Sequence, residues 1–227
     1  MKTVPETLLR TLANQLSKED RDEMALPSYL HRNPALRWMA YRRLQAVSAR
    51  LATLMRDRKA PRHVLDFGCG SGILLPEILG VADHVYGVDL VLLAAQLLVK
   101  ELKLDRVTLM QPEAMAELVP AASIDVVIAA EVLEHVESVT ETMSSFKRVL
   151  KPGGRLLVSL PTENALYRLG RRIAGFSGHY HHANAASIDA EIRAVGFRRC
   201  WREQIPAPGP LCIYWVAEYE LGYAPAV

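Results

Sequence analysis

The chain has 227 residues, half of them apolar and 23% charged, a balance that excludes global disorder and suits one α/β domain with an accessory segment. A formal net charge of +2 excludes the strong basic excess of a protein that coats nucleic acid, and no run of about 18 uncharged apolar residues offers a membrane-spanning helix. With no apolar leader core after Lys2 and no C-x-x-C pair among Cys69, Cys200 and Cys212, the expectation is a cytoplasmic protein with reduced thiols, although Cys200 and Cys212 could face each other across a hairpin.

In chain order, residues 4–16 predict a short helix. The stretch SKEDRDEMALPSYLHRNP mixes charge with Pro27 and Pro34 and reads as a linker or bent lid. From Pro34 a helical period sets in through Leu36, Met39, Ala40, Leu44, Val47, Leu51, Leu54 and Met55. Pro34 suits the first turn and Asn33 the N-cap. Arg37, Arg43, Arg50 and Arg56 are taken to lie off that stripe, as a solvated face or as a basic face for an anionic membrane surface.

After Pro61, strand and helix alternate. HVLDF predicts a strand and ILLPEILG a helix ending at Gly80; HVYGVDL is a strand and VLLAAQLLVKEL a helix. RVTLMQ and the start of IDVVIAAEVL are further strands, ETMSSFKRVL a helix, KPGG a turn and GRLLVSLP a fifth strand. Near-continuous apolar strands separated by helices indicate a parallel sheet covered on both faces. ASIDAEIRAVGF is a helix stopped by Gly196, and FRRCWREQI and LCIYWVAEYEL, joined by PAPGP, form an antiparallel pair. The expected organisation is a helical cap or lid over residues 1–60 and an α/β domain over 61–227.

Asp66 near the end of the first strand is followed by Gly68, Gly70 and Gly72. Glycines at this turn permit positive φ and close approach of a ligand to the main chain, and the amides at the next helix start point at what lies there. The spacing G-x-G-x-G differs from the dinucleotide G-x-G-x-x-G. Asp89 ends the second strand, where a carboxylate accepts hydrogen bonds from both ribose hydroxyls and repels a 2′-phosphate. The competing reading, a helix-capping aspartate, fits less well, because VLLAAQ begins without a capping-box residue at the right offset. The predicted ligand is a nucleoside whose ribose lies between the first two strands.

The ordered set VLDFGCGSG, YGVDL, QPEAMAELVPAASIDVVIAAEVLEHV and RVLKPGGRLLVSLP resembles the class I S-adenosylmethionine-dependent methyltransferases, over residues 62–220. It is most similar to the small-molecule branch that contains ubiquinone- and menaquinone-pathway enzymes. The resemblance implies a Rossmann-like, mostly parallel seven-stranded sheet of order 3-2-1-4-5-7-6 with strand 7 antiparallel, helices on both faces and S-adenosyl-L-methionine as cofactor. It implies that Gly68, Cys69, Gly70 and Gly72 border the methionine part, that Asp66 holds its amino group, often through water, and that Asp89, followed by Leu90, takes the ribose. Glu113 stands where the family has an aspartate facing the adenine amino group, with a longer side chain and Pro112 before it. Ala114 and Met115 would line the adenine, and Ala130 and Glu131 would lie beside the methyl donor; for Met115 and Ala130, simple packing is the alternative.

Methyl transfer is a displacement at a sulfonium, and holding the partners in line supplies much of the acceleration. A base helps where the acceptor is a hydroxyl or a protonated amine. His135 is one candidate, with organisation of the loop after strand four as its alternative role. GFSGHYHHA offers His179, His181 and His182, with Tyr180 as a substrate contact or as the closure of a polar lid. No metal is assigned: the histidines are too close together for a typical ligand face and lack a nearby carboxylate, and Glu131 and Glu134 stand in a helix-forming run. AAEVLEHV replaces the proline–aromatic loop of enzymes that methylate exocyclic base nitrogens, so no nucleic-acid partner is expected. Tyr29, His31, Trp38 and Tyr41 suit a pocket for a flat or apolar acceptor, although burial of a helix stripe explains Trp38 equally well. The expected activity is methylation of oxygen or nitrogen, ahead of carbon, on a small organic acceptor. The alternatives are a quinone- or lipid-pathway methyltransferase with peripheral membrane contact through its arginine-rich helix and YRLGRRIAGF (167–176), and a cofactor-binding partner subunit without catalysis.

Overall fold

The computed structural model describes residues 4–18, 21, 26–168 and 184–222. Its strands are β1 (His63–Phe67), β2 (His84–Val88), β3 (Val107–Met110), β4 (Ile124–Ala130), β5 (Leu150–Pro161), β6 (Phe197–Ile205) and β7 (Tyr214–Leu221). They form one seven-stranded sheet in the order β3-β2-β1-β4-β5-β7-β6. The first five pair in parallel, while β7 runs antiparallel to both β5 and β6. The order and the reversed last strand are those expected of the Rossmann-like α/β class.

Strand side chains alternate between two cores. Val64, Val126, Ile128, Leu157 and Val216 point into one, while Leu65, Val127, Ala129, Leu156, Val158 and Ala217 point into the other. The first face is covered by α1 (Glu6–Gln15), α2 (Leu26–Tyr29), α3 (Pro34–Met55), α4 (Leu75–Ile78) and α5 (Leu93–Glu101). The second is covered by α6 (Met115–Leu118), α7 (Val139–Val149) and α8 (Ala185–Ala194). Both faces are therefore dry, which is why the strands read as unbroken apolar runs.

Helix α3 starts at Pro34, and the Asn33 side chain accepts a hydrogen bond from the Ala35 amide at 2.9 Å. Ala40, Leu44, Val47, Leu51 and Met55 of its stripe are buried. The expectation for its arginines fails at two positions. Arg43 is buried, and Arg50 donates from Nε to the buried Glu218 carboxylate at 2.8 Å while stacking 4.8 Å from the Trp201 ring centroid. Both occupy i+3 positions on the buried stripe (40 to 43, 47 to 50), so the helix turns them inward.

Two further local expectations change. KPGG is not a turn before β5 but a bulge within it: Leu150 pairs with Ile124 and Arg155 with Val126, and Gly153 takes up the excess at φ 73°. The run after β4 does not continue as helix. Glu131 adopts φ 57°, residues 133–135 form a turn, and α7 begins only after Ser138 caps the Glu141 amide. Among the described residues no helix is long and apolar enough to cross a membrane, and Cys69, Cys200 and Cys212 are free thiols.

Candidate active site

The carboxyl ends of β1, β2 and β4 point to one edge of the sheet, where ligands of open α/β sheets bind. Leaving β1, the chain makes a turn in which Gly68, Gly70 and Gly72 all have positive φ (76°, 52° and 76°). A Cβ on Gly68 would lie 2.5 Å from the Val132 Cβ, and one on Gly72 would lie 2.9 Å from Leu75 Cδ1. Gly68 thus lets the turn nest against the loop after β4, and Gly72 lets it pack against α4 and α5. The Gly68 and Cys69 amides donate to the Val88 carbonyl at 2.8 and 3.0 Å, which holds the turn beside the end of β2. The Cys69 side chain is buried, and burial pushes its thiol well up, so it packs rather than reacts.

Asp89 follows β2 directly. Its carboxylate accepts from the Gly70 amide at 2.7 Å and from the Val91 amide at 3.1 Å. It therefore joins the glycine turn to the start of the next helix, combining the position read as ribose-binding with part of the capping role set against it. Leu90 beside it is 69% exposed, and its carbonyl accepts from Gln111 Nε2 at 3.1 Å. Glu113 lies exposed in the single turn Pro112–Ala114, Ala114 is half-buried and Met115 is buried in the second core. Ala130 packs partly against the first core.

Asp66 is only 2% exposed, and its Oδ2 has no hydrogen-bond partner among the described residues. Burial, with Asp89 adding to it, pushes its carboxyl up to about 7. An orphaned buried carboxylate beneath a glycine turn fits the ammonium of an amino-acid tail, so these residues suit S-adenosylmethionine.

Glu131 makes a close ion pair with Arg43, which arrives from α3. Arg43 Nη2 also donates to the Tyr29 hydroxyl at 2.9 Å, and its guanidinium lies 5.3 Å from the Tyr214 ring centroid. Burial raises Tyr29, Tyr214 and Glu131, while Arg43 opposes each shift. Glu134, in the turn after β4, is buried and held well above the ordinary carboxylate range by burial and by Glu131. His135, the next residue, is exposed. Trp38 is 54% exposed, and His31 is half-buried, its Nδ1 accepting from the Asn33 amide. Of the residues named for the acceptor, Tyr29 accepts from Arg43, and Tyr41 packs against Tyr29 with ring centroids 5.5 Å apart. Tyr180 and the candidates His179, His181 and His182 lie outside the described residues. Among the described residues no group of three His, Cys, Asp or Glu side chains could hold a metal ion.

Sequence reading missed Arg43, Glu134 and Tyr214 as site residues. Arg43 had a signal, its i+3 spacing from Ala40. Tyr214 had none, because it joins the site only through the sheet order.

A family model described as a methyltransferase domain matches residues 36–200. A probable S-adenosylmethionine-dependent methyltransferase of Mycolicibacterium smegmatis is 35% identical over 158 residues, covering 69% of this chain and 58% of that protein. The ubiquinone biosynthesis O-methyltransferase of Paraburkholderia phytofirmans is 36% identical over 108 residues, covering 46% of this chain and 47% of that one. The chain thus spans about half the length of the curated relatives it matches. Among solved structures, the magnesium protoporphyrin IX methyltransferase of Synechocystis, crystallised with S-adenosylhomocysteine, shares the fold: the TM-score is 0.63 at 23% identity, over 92% of this chain and 98% of that one.

Proposed function

Because this chain belongs to the class I S-adenosylmethionine-dependent methyltransferases, we propose that it methylates a small organic acceptor, at oxygen or nitrogen ahead of carbon. The bound cofactor supplies an electrophilic methyl group on a positively charged sulfur. In this reading Asp66 receives the ammonium, the Gly68–Gly72 turn carries the amino-acid tail and Asp89 takes the ribose. Residues 1–60 serve as the cap over 61–227, with Tyr29 and Arg43 as the cap residues that reach the reacting end. The ubiquinone O-methyltransferase among the relatives supports a small-molecule acceptor.

The observation that supports the reading is the 2.7 Å bond between the Gly70 amide and the Asp89 carboxylate, which joins the glycine turn to the acid proposed for the ribose. Replacing Asp89 by alanine is expected to weaken S-adenosylmethionine binding by about 1–3 kcal/mol, the worth of hydrogen bonds to a charged acceptor. Titration calorimetry measures it, and unchanged affinity removes the ribose assignment.

Of the arginines read as a face for a membrane, Arg43 and Arg50 are engaged by Glu131 and Glu218, and residues 169–176 of YRLGRRIAGF lie outside the described residues.

A further inference from the structure

Around the end of β4, four buried polar atoms stand without a hydrogen-bond partner among the described residues: Arg43 Nε, Glu131 Oε1, Glu134 Oε2 and Ser159 Oγ. Arg43 is 5% exposed and Glu134 1%. Nη1 pairs with Glu131 and Nη2 donates to the Tyr29 hydroxyl, which fixes the direction of the guanidinium and leaves Nε as its nitrogen without a partner. Leaving a buried donor and a buried acceptor unmade is costly, and a ligand that satisfies both relieves that cost.

We propose that Arg43 and Glu134 form the subsite that holds and ionises an acceptor hydroxyl, so that the acceptor is a phenol or another acidic hydroxyl compound. This rests on the methyltransferase reading above and narrows it to oxygen. A hydroxyl both accepts and donates. One oxygen lone pair accepts from Arg43 Nε–H, the O–H donates to Glu134, and a second lone pair remains for attack. A neutral amine has one lone pair, and if Arg43 takes it the nitrogen is no longer nucleophilic. A carbon acceptor offers neither contact. In the reaction the acceptor oxygen bonds to the methyl carbon as the carbon–sulfur bond breaks, and its electron pair stays on the now neutral sulfur. The hydroxyl proton passes to the Glu134 carboxylate and from there to solvent, while Arg43 stabilises the charge that develops on oxygen.

The groups acting on Glu134 fit a base. Burial first, then Glu131 at the end of β4 and Glu163 after β5, raise its proton affinity, and Arg43 from α3 opposes them. His135, one position on, is exposed.

The test uses the full chain, with cofactor affinity measured first by calorimetry. Wild type and Glu134→Gln are then assayed for S-adenosylhomocysteine release with 4-methylphenol, 4-nitrophenol, 4-methylaniline and indole. Wild type should methylate the phenols. Glu134→Gln should lose about 10²-fold in kcat on 4-methylphenol, within the usual range for a general base. It should lose less than about 10-fold on 4-nitrophenol, which ionises without help near neutral pH; a purely structural role for Glu134 would affect both phenols alike. As a readout apart from turnover, 4-nitrophenol added to the S-adenosylhomocysteine complex at pH 6 should show the phenolate absorption band. Arg43→Lys, which keeps the charge but removes the Nε donor, should lose that band. Equal losses on both phenols, full activity of Glu134→Gln on 4-methylphenol, an unchanged band in Arg43→Lys, or methylation confined to the aniline or indole would each overturn the subsite. So would cofactor binding with no phenol methylated. Absence of cofactor binding would instead remove the methyltransferase reading, and the subsite with it.

Discussion

Gly68→Ala tests whether the glycine turn is built by sterics or merely tolerates glycine. The new Cβ would lie 2.5 Å from Val132 Cβ and 2.6 Å from its Cγ2, closer than unbonded carbons approach. The residue would also keep φ +76°, which costs an L-residue about 1–2 kcal/mol. Overpacking adds about 1–3 kcal/mol, because both the turn and the loop after β4 are anchored by main-chain bonds. The expected loss is therefore about 2–5 kcal/mol, read in equilibrium urea denaturation without cofactor so that stability is separated from binding. Val132→Gly in the same chain removes the clashing Cβ. It should return the overpacking share but not the backbone strain, giving a coupling of about 1–3 kcal/mol in the double-mutant cycle. An unchanged midpoint in Gly68→Ala, or strictly additive effects in the double variant, would refute the claim that this glycine exists to let the turn nest against Val132.

Asp66→Asn is expected to stabilise the cofactor-free protein in alkaline but not acidic solution. The folded carboxyl is raised to about 7, above its unfolded value, so the native state holds the proton more tightly and loses stability as pH rises from about 4 to about 7. The variant should gain on the order of 2–4 kcal/mol at pH 8 and nothing at pH 3. Urea midpoints across that range decide it, and parallel pH curves for the two proteins would contradict the burial of an orphaned carboxylate. The same substitution should weaken S-adenosylmethionine binding. Arg50→Ala should cost about 1–3 kcal/mol in the same assay, less than a fully broken buried pair, because Arg155 still contacts the buried Glu218 at 3.1 Å. A loss near zero would mean that Arg155 alone satisfies that carboxylate.

The sheet was legible because a parallel strand buried on both faces leaves an apolar run bounded by turn residues, as HVLDF and HVYGV do. The terminal hairpin was legible from PAPGP between two alternating strands. The bulge at Lys151–Gly154 was not, since a glycine pair reads as a turn whether or not the ladder resumes on the same neighbour. The candidate cofactor half of the site could be proposed from sequence for a related reason. Asp66, the glycines and Asp89 belong to two consecutive strand ends, so chain order and spatial order agree. The proposed acceptor half draws on α2, α3, the loop after β4 and β7, four segments far apart in sequence whose side chains meet at Arg43.

Helix α3 shows why the arginines in particular were misread. A charged side chain was assigned to solvent although its spacing placed it on the apolar stripe, and the partners that make its burial tolerable lie far away in sequence. Arg43 meets Glu131 beyond the end of β4, and Arg50 meets Glu218 within β7. Seven residues separate the two arginines, two turns or about 10.5 Å along the helix. Apolar packing alone would allow α3 to rotate or slide on the sheet at modest cost, because neighbouring aliphatic side chains are near substitutes for one another. A buried guanidinium at Arg43 and a part-buried one at Arg50 are not interchangeable with their neighbours. A rotation that lost the Arg43 pair would leave Glu131 without its counter-charge, and one that lost the Arg50 pair would leave the buried Glu218 to Arg155 alone. One rotation and one register of α3 satisfy both pairs together, and that placement holds Arg43 against Glu131 and the Tyr29 hydroxyl.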